Sequence, residues 1–138
     1  MEIDYDLHGI VGVRLLDAGP GDVAAVSRQL GPIQAPLDRE PDIVIRFVDR
    51  LATSERLRYL GLDEAGFTDD AFYLLRSKHK TGVKVRIPFG EIGSRCEFVC
   101  ERGVPAVPLL IPTINLTALA RGFLPLHAGA FNYHATGA

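Results

Sequence analysis

The chain has 138 residues, 47% hydrophobic and 23% charged, with a formal net charge of -2. That is enough for one domain with a real core, or one domain plus part of another. So balanced a charge gives no general attraction for nucleic acid or an anionic membrane, and no apolar run reaches the length of a membrane span.

The N-terminus, "MEIDYDLHG", is acidic and has no basic stretch ahead of an apolar one. It does not read as a signal peptide, and the chain reads as cytoplasmic. Leu7–Leu16, "LHGIVGVRLL", is β-branched and apolar with two glycines, and predicts one strand bulged at Gly9 or Gly12. In "GPGDVAAVSRQLGP", Asp22 is a good N-cap, Val23, Val26 and Leu30 fall on one helical face, and Gly31-Pro32 stops the helix. The Gly-Pro-Gly ahead of it has the place of an anion cradle, yet without lysine or further glycines it reads as a turn. "IQAPLDREPD" reads as a solvated loop in which Asp38, Arg39, Glu40 and Asp42 surround two prolines. "DIVIRFVDR" is apolar on both faces, the mark of a central strand. "LATSERLRYLGLDEAGFTDD" holds a short strand around Leu57–Leu60 and ends in an acidic turn.

Ala71–Arg76 and Val83–Phe89 predict two strands joined by a polar loop ending in Thr81-Gly82. In the second, Val83, Val85 and Ile87 alternate with Lys84 and Arg86, as in a sheet with one wet face. "SRCEFVCERG" alternates likewise. Its two cysteines, Cys96 and Cys100, flank Phe98 on one face, a poor geometry for a disulfide and too few ligands for zinc. They read as buried, reduced and apolar. "VPLLIPTINLTALARG" is apolar almost all the way round. It predicts a helix begun near Pro112 or Thr113, ended at Gly122 and buried on most sides, as is its neighbour "FLPLHAGAF". Leu126–Tyr133 reads as a strand, and His134-Ala-Thr-Gly-Ala as the start of a turn. The whole predicts an α+β fold, a mixed, mostly antiparallel β-sheet with two or three helices.

Arg76, Lys78, His79, Lys80, Lys84 and Arg86 form a basic hairpin without an intervening acid. Such a patch can meet phosphate, an acidic partner or nucleic acid. It is equally a solvated hairpin balanced by Asp63, Glu64, Asp69 and Asp70, and no aromatics interleave it as stacking platforms. His8 and His134 are isolated from other metal-ligating residues, and Ser27, Ser54, Ser77 and Ser94 lack the G-x-S-x-G context of an activated nucleophile.

The C-terminal arrangement is an apolar helix, an Arg-Gly end, then "LPLHAGAFNYHATGA". It resembles the lead-in to the catalytic core of HPr kinase/phosphorylase-like P-loop proteins. There a Leu-His-Ala/Gly segment starts a strand, a tight turn follows, and a second strand runs into the loop G-x-x-x-x-G-K-[ST]. Leu126–Phe131 matches the first strand and Ala135–Ala138 the turn, so the resemblance implies that the chain stops just before its Walker A loop. Residues 1–104 would then be an N-terminal β-rich α+β domain, and 105–138 the helix and first strand of an incomplete core. It implies a parent that phosphorylates a protein or peptide hydroxyl with ATP and Mg2+, its N-terminal domain serving substrate or partner recognition. His127 would lie near the nucleotide phosphates; the same imidazole is also a plain core histidine. No Gly-Lys dipeptide occurs here, so this chain alone should be catalytically silent and bind no nucleotide. Without its hairpin mate, strand 126–133 should fray or pair with another chain as a homo-oligomer. Two other readings stay open: a stand-alone, non-enzymatic binding module using the basic residues of 76–86, and a small-molecule-binding α+β domain.

Overall fold

The computed structural model describes residues 2–51, 56–60, 65–75 and 83–126, and the backbone of 132–133 and 136–137. Alternation begins earlier than Leu7. Ile3, Tyr5 and Leu7 interleave with Glu2, Asp4 and Asp6, and this segment is strand β1 (Glu2–Leu7). It pairs antiparallel with β2 (Val11–Leu16), register Leu7 to Val11, so the single bulged strand expected over Leu7–Leu16 is instead a turn followed by a strand. His8 (φ 56°) and Gly9 (φ 74°) make the turn, closed by the Ile10 N–H on the Leu7 carbonyl at 2.9 Å. Positive φ at both central positions suits the twist of a tight hairpin.

Helix α1 (Pro20–Leu30) begins three residues before the expected start, with Gly19 at the N-cap. Asp22 is therefore not the N-cap but sits in the first turn, where its carboxylate accepts the Gly19 N–H at 2.9 Å. The helix carries the chain across to β3 (Ile43–Val48), parallel to β2; a parallel pair needs such a crossover. β4 (Arg58–Leu60), β5 (Ala65–Phe67), β6 (Ala71–Leu75) and β7 (Val83–Pro88) follow as an antiparallel series. A 3-10 turn (Phe89–Glu91) leads to β8 (Cys96–Glu101), which inserts parallel to β3 and antiparallel to β7. The sheet order is β1-β2-β3-β8-β7-β6-β5-β4, an eight-stranded, mixed and mostly antiparallel sheet. With helix α2 (Leu110–Ala120) the fold is α+β.

Register sets the core. Tyr5, Val13, Ile43 and Cys96 form one cross-strand row, Leu15, Ile45 and Phe98 the next, Phe47, Cys100 and Val85 the third. All ten are essentially inaccessible. Val26 of α1 and Leu110, Ile114 and Ala118 of α2 close the same cluster, so both helices cover one face. The Tyr5 hydroxyl, buried beneath α1, bonds the Ser27 hydroxyl at 2.7 Å. The opposite face is polar, with Arg14 on Asp4, Arg39 on Asp6 and Arg46 on Glu97. There Leu37 crosses so near Gly12 that a Cβ would lie 2.9 Å from its Cδ1, so a side chain at this position would have to displace the Leu37 methyls. A smaller cluster of Leu57, Ala71, Tyr73, Leu75 and Val83 fills the β4–β7 end.

α2 starts at Leu110, two to three residues before the expected position, after Leu109 in a left-handed conformation (φ 62°). It ends as its Arg-Gly foretells. Gly122 takes φ 86°, its N–H bonds the Leu119 carbonyl, and the Phe123 N–H reaches back to Ala118, closing a Schellman motif. Beyond it, β9 (Asn132–Tyr133) pairs antiparallel with β10 (Thr136–Gly137). Of the strand expected over 126–133, Leu126 is described outside any strand and Asn132–Tyr133 forms β9, the rest lying outside the described residues. At β9 it is not unpaired, contrary to the expectation for a strand without its hairpin mate, because β10 lies beside it.

Candidate functional site

His127 lies outside the described residues, as do Arg76, Lys78, His79 and Lys80 of the basic hairpin. Lys84 and Arg86 are described, half-buried on β7. The Arg86 Nε–H donates to the Tyr73 hydroxyl at 3.1 Å, and its guanidinium carbon stands 5.9 Å from that ring's centroid. Its charge is engaged in the smaller core cluster, which weakens the case for Arg86 as a free contact. Asp69, one of the carboxylates set against the hairpin, pairs with Arg58 at 2.7 Å.

The structure gives two carboxylates a role that the loop reading withheld or misplaced. Asp42 is buried, not solvated. Its Oδ2 accepts the buried Gly12 N–H at 2.8 Å and its Oδ1 accepts from the Arg121 guanidinium at 2.7 Å. Arg121 also donates to the Ile10 carbonyl at 2.9 Å. The end of α2 is thereby bolted to the starts of β2 and β3. Only the Asp immediately before "IVIRFV" and the Arg of the Arg-Gly stop hinted at this, and nothing in their spacing links them. Asp22 fills the second role: besides Gly19 it accepts the Gly103 N–H at 3.1 Å. The Asp22 carboxylate holds the Gly19 amide, and Pro20 and Gly21 open the first turn of α1, so the ordinary turn expected at Gly-Pro-Gly is instead a helix start.

Titration follows these contacts. The Arg14 hydrogen bond, helped by the Leu37 N–H, holds the Asp4 carboxyl below its ordinary range against the opposing effect of burial. Cys96 and Cys100 are free and buried, as expected, and burial pushes both thiols up to about 12. They are poor nucleophiles. Among the described residues no group of three or more His, Cys, Asp or Glu could hold a metal ion. No helix there is long and apolar enough to cross a membrane.

What remains is an apolar surface. α2 was expected to be buried on most sides, but only Leu110, Thr113, Ile114, Thr117 and Ala118 face inward. Both threonines satisfy their hydroxyls on carbonyls one turn back, Leu109 at 2.9 Å and Thr113 at 2.8 Å. Ile111, Leu116 and Leu119 are 42–50% exposed, and beyond the helix Phe123, Leu124 and Leu126 are 49–77% exposed, against the expectation for "FLPLHAGAF". The reason is geometric: a sheet covers one arc of a helix, and no other described element reaches the outer arc. Between α2 and the 3-10 turn lies a groove of about 150 Å3, bounded by Phe72, Ile87 and Phe89 on one side and Leu109, Pro112 and Leu116 on the other. Its lining is almost wholly carbon. Such a surface can bind by exclusion of water and offers no group for bond making.

Comparison with protein-family models, with curated proteins and with solved structures finds no match to this chain.

Proposed function

We propose that the chain is the N-terminal region of an HPr kinase-like, ATP- and Mg2+-dependent protein or peptide kinase, acting in substrate or partner recognition and silent in catalysis by itself. The observation that carries this reading is the order of elements at the C-terminal end. A helix closed by Arg121-Gly122 is followed by Leu-Pro-Leu-His-Ala and then by the antiparallel pair β9 and β10. This is the order of the strand, turn and return strand that precede a phosphate-binding loop in the family that the sequence resembles. In this reading β10 is the start of the strand that delivers the Walker A loop, and His127 stands at the mouth of the phosphate site. The sheet of residues 2–101 serves recognition, since phosphoryl transfer depends on positioning and a docking domain supplies it. The working place of such a kinase is the cytoplasm.

The test is the coding sequence beyond codon 138. The reading requires a Gly-rich loop bearing Lys-Ser or Lys-Thr within about twenty residues, the span of one strand and one loop. A stop codon, or a continuation without that loop, refutes it. Residues 1–138 alone should show no Mg2+-dependent ATP binding by calorimetry, because the loop amides and lysine that hold phosphates are not among them. Tight binding by this chain contradicts the claim of silence.

A further inference from the structure

We infer that the outer face of α2 is a two-fold interface between copies of this chain, in which two α2 helices pack antiparallel and each lodges its C-terminal end in the other's groove. This goes beyond the kinase reading and does not rest on it.

The first observation is the placement of side chains along the helix. The exposed ridge runs through Pro112, Asn115, Leu116 and Leu119, with Phe123 continuing it. Pro112 and Leu119 are seven residues apart, about two helical turns, and so share one line on the surface. An antiparallel pair with its axis beside Asn115 and Leu116 sets Pro112 of one copy against Leu119 of the other, and Leu109 against Phe123. Each contact then occurs twice, as a closed isologous interface demands.

The second observation is that the groove sits where this pairing needs it. It lies along the N-terminal half of α2, bounded by Leu109, Pro112 and Leu116, while the projecting apolar groups lie at the C-terminal end. Antiparallel pairing brings the projection of one copy over the groove of the other. An apolar hole of about 150 Å3 takes a benzene ring. The Phe123 phenyl is of that size and half exposed.

The third is area and charge. Eight large apolar residues of this region are 38–77% exposed, which at about 150–200 Å2 per fully exposed side chain leaves roughly 600–800 Å2 of apolar surface. Monomers rarely expose so much in one region, whereas a stable dimer needs about 800 Å2 from each partner. From Gly103 to Ala120 there is no charged residue, so two copies meet without like-charge repulsion. Asn115, at the axis, can bond its own symmetry mate and fix the register, the use best attested for a lone polar residue in a helix seam.

Sedimentation or light scattering of the 138-residue chain across micromolar concentrations should give a reversible species of twice 15.0 kDa. Leu119→Glu and Phe123→Ala, both at half-exposed positions, should each raise the dissociation constant roughly tenfold or more while leaving the far-UV spectrum intact. Asn115→Cys should cross-link as a dimer on mild oxidation, because the native thiols are buried and slow. A monomer at every concentration overturns the inference and assigns the face to a different partner. A dimer indifferent to Leu119→Glu and Phe123→Ala overturns it too, and moves the contact elsewhere, for instance to the 126–133 segment.

Discussion

Replacing Asp42 with alanine removes two acceptors at once, and the cost can be worked from the contacts. The Gly12 N–H loses its partner at 2.8 Å in a buried site, and an orphaned buried amide costs about 1–3 kcal/mol. Arg121 loses a charge-assisted bond at 2.7 Å, but its side chain is 40% exposed and keeps the Ile10 carbonyl. Water replaces most of that loss, so this part is about 1 kcal/mol or less. The sum is about 1–4 kcal/mol, a lowering of Tm by roughly 3–15 °C for a chain of this length. Asp42→Asn should cost less, because its carbonyl oxygen still accepts from Gly12 while its amide group faces the Arg121 donor. Arg121→Ala should cost about 1 kcal/mol, and the double variant should show a coupling of about 1 kcal/mol or less with Asp42→Ala. Urea unfolding followed by circular dichroism measures all four. An Asp42→Ala midpoint within about 0.5 kcal/mol of the parent would refute the buried-acceptor argument, since surface substitutions fall in that range.

Other outcomes follow from the same contacts. Phe98→Ala, in the middle of the central strand pair, should cost about 3–5 kcal/mol in urea, a large share of the stability of any domain this size. The thiols of Cys96 and Cys100 should resist alkylation at pH 8 and react once the chain is unfolded. Because their folded pKa values of about 12 lie above the ordinary thiol value of 9.0, stability should fall as pH climbs from about 9 towards 12, and Cys96→Ala with Cys100→Ala should flatten that slope. Asp4 runs the other way: its folded pKa is depressed, so its contribution is present above the ordinary carboxylate value and lost as pH falls through the folded one. Asp4→Asn should shrink the acid limb of a stability-against-pH curve. His8→Gly should stabilise the β1–β2 turn by up to about 1 kcal/mol in thermal unfolding, since a left-handed backbone penalises any Cβ.

The fold was legible wherever a period was unbroken. Val83, Val85 and Ile87 alternating with Lys84 and Arg86 placed β7 within a residue of its end, and the apolar run before Asp49 placed β3 in the interior of the sheet. β1 was equally legible in Ile3, Tyr5 and Leu7. Its alternating Glu2, Asp4 and Asp6 read by composition as an acidic terminus, whereas on a strand they define the wet face that meets Arg14 and Arg39. β5 was not legible at all: Ala65-Gly66-Phe67 has no pattern of its own, and its glycine is crowded only in the fold, by Leu57 and the Arg58 carbonyl. The Asp42–Arg121 bond spans 79 positions and is made by tertiary packing, which no local period encodes. The apolar face of α2 was visible as composition, but which arc would be covered depends on how many elements reach it.

The covered arc of α2 is mixed, with Leu110, Ile114 and Ala118 beside two threonines, where one neighbouring sheet would favour an all-apolar face. The covered side of α2 carries Thr113 and Thr117, hydroxyls that must bond their own helix to be buried, while Leu116 and Leu119 face out. A helix with the sheet as its only neighbour gains most by the reverse, since a fully buried leucine is worth about 1.5–3 kcal/mol and a half-exposed one forgoes roughly half of that. Eight such residues on each of two copies hold at most roughly 12–24 kcal/mol in reserve, and less where the pairing leaves some of them uncovered. Two-body association costs an estimated 4–15 kcal/mol before any surplus appears. Gain and cost therefore overlap in range, and the pairing should be reversible and concentration-dependent, not permanent. That near-balance is why single changes at Leu119 or Phe123, each worth about 1 kcal/mol or more at the contact, should suffice to separate the copies.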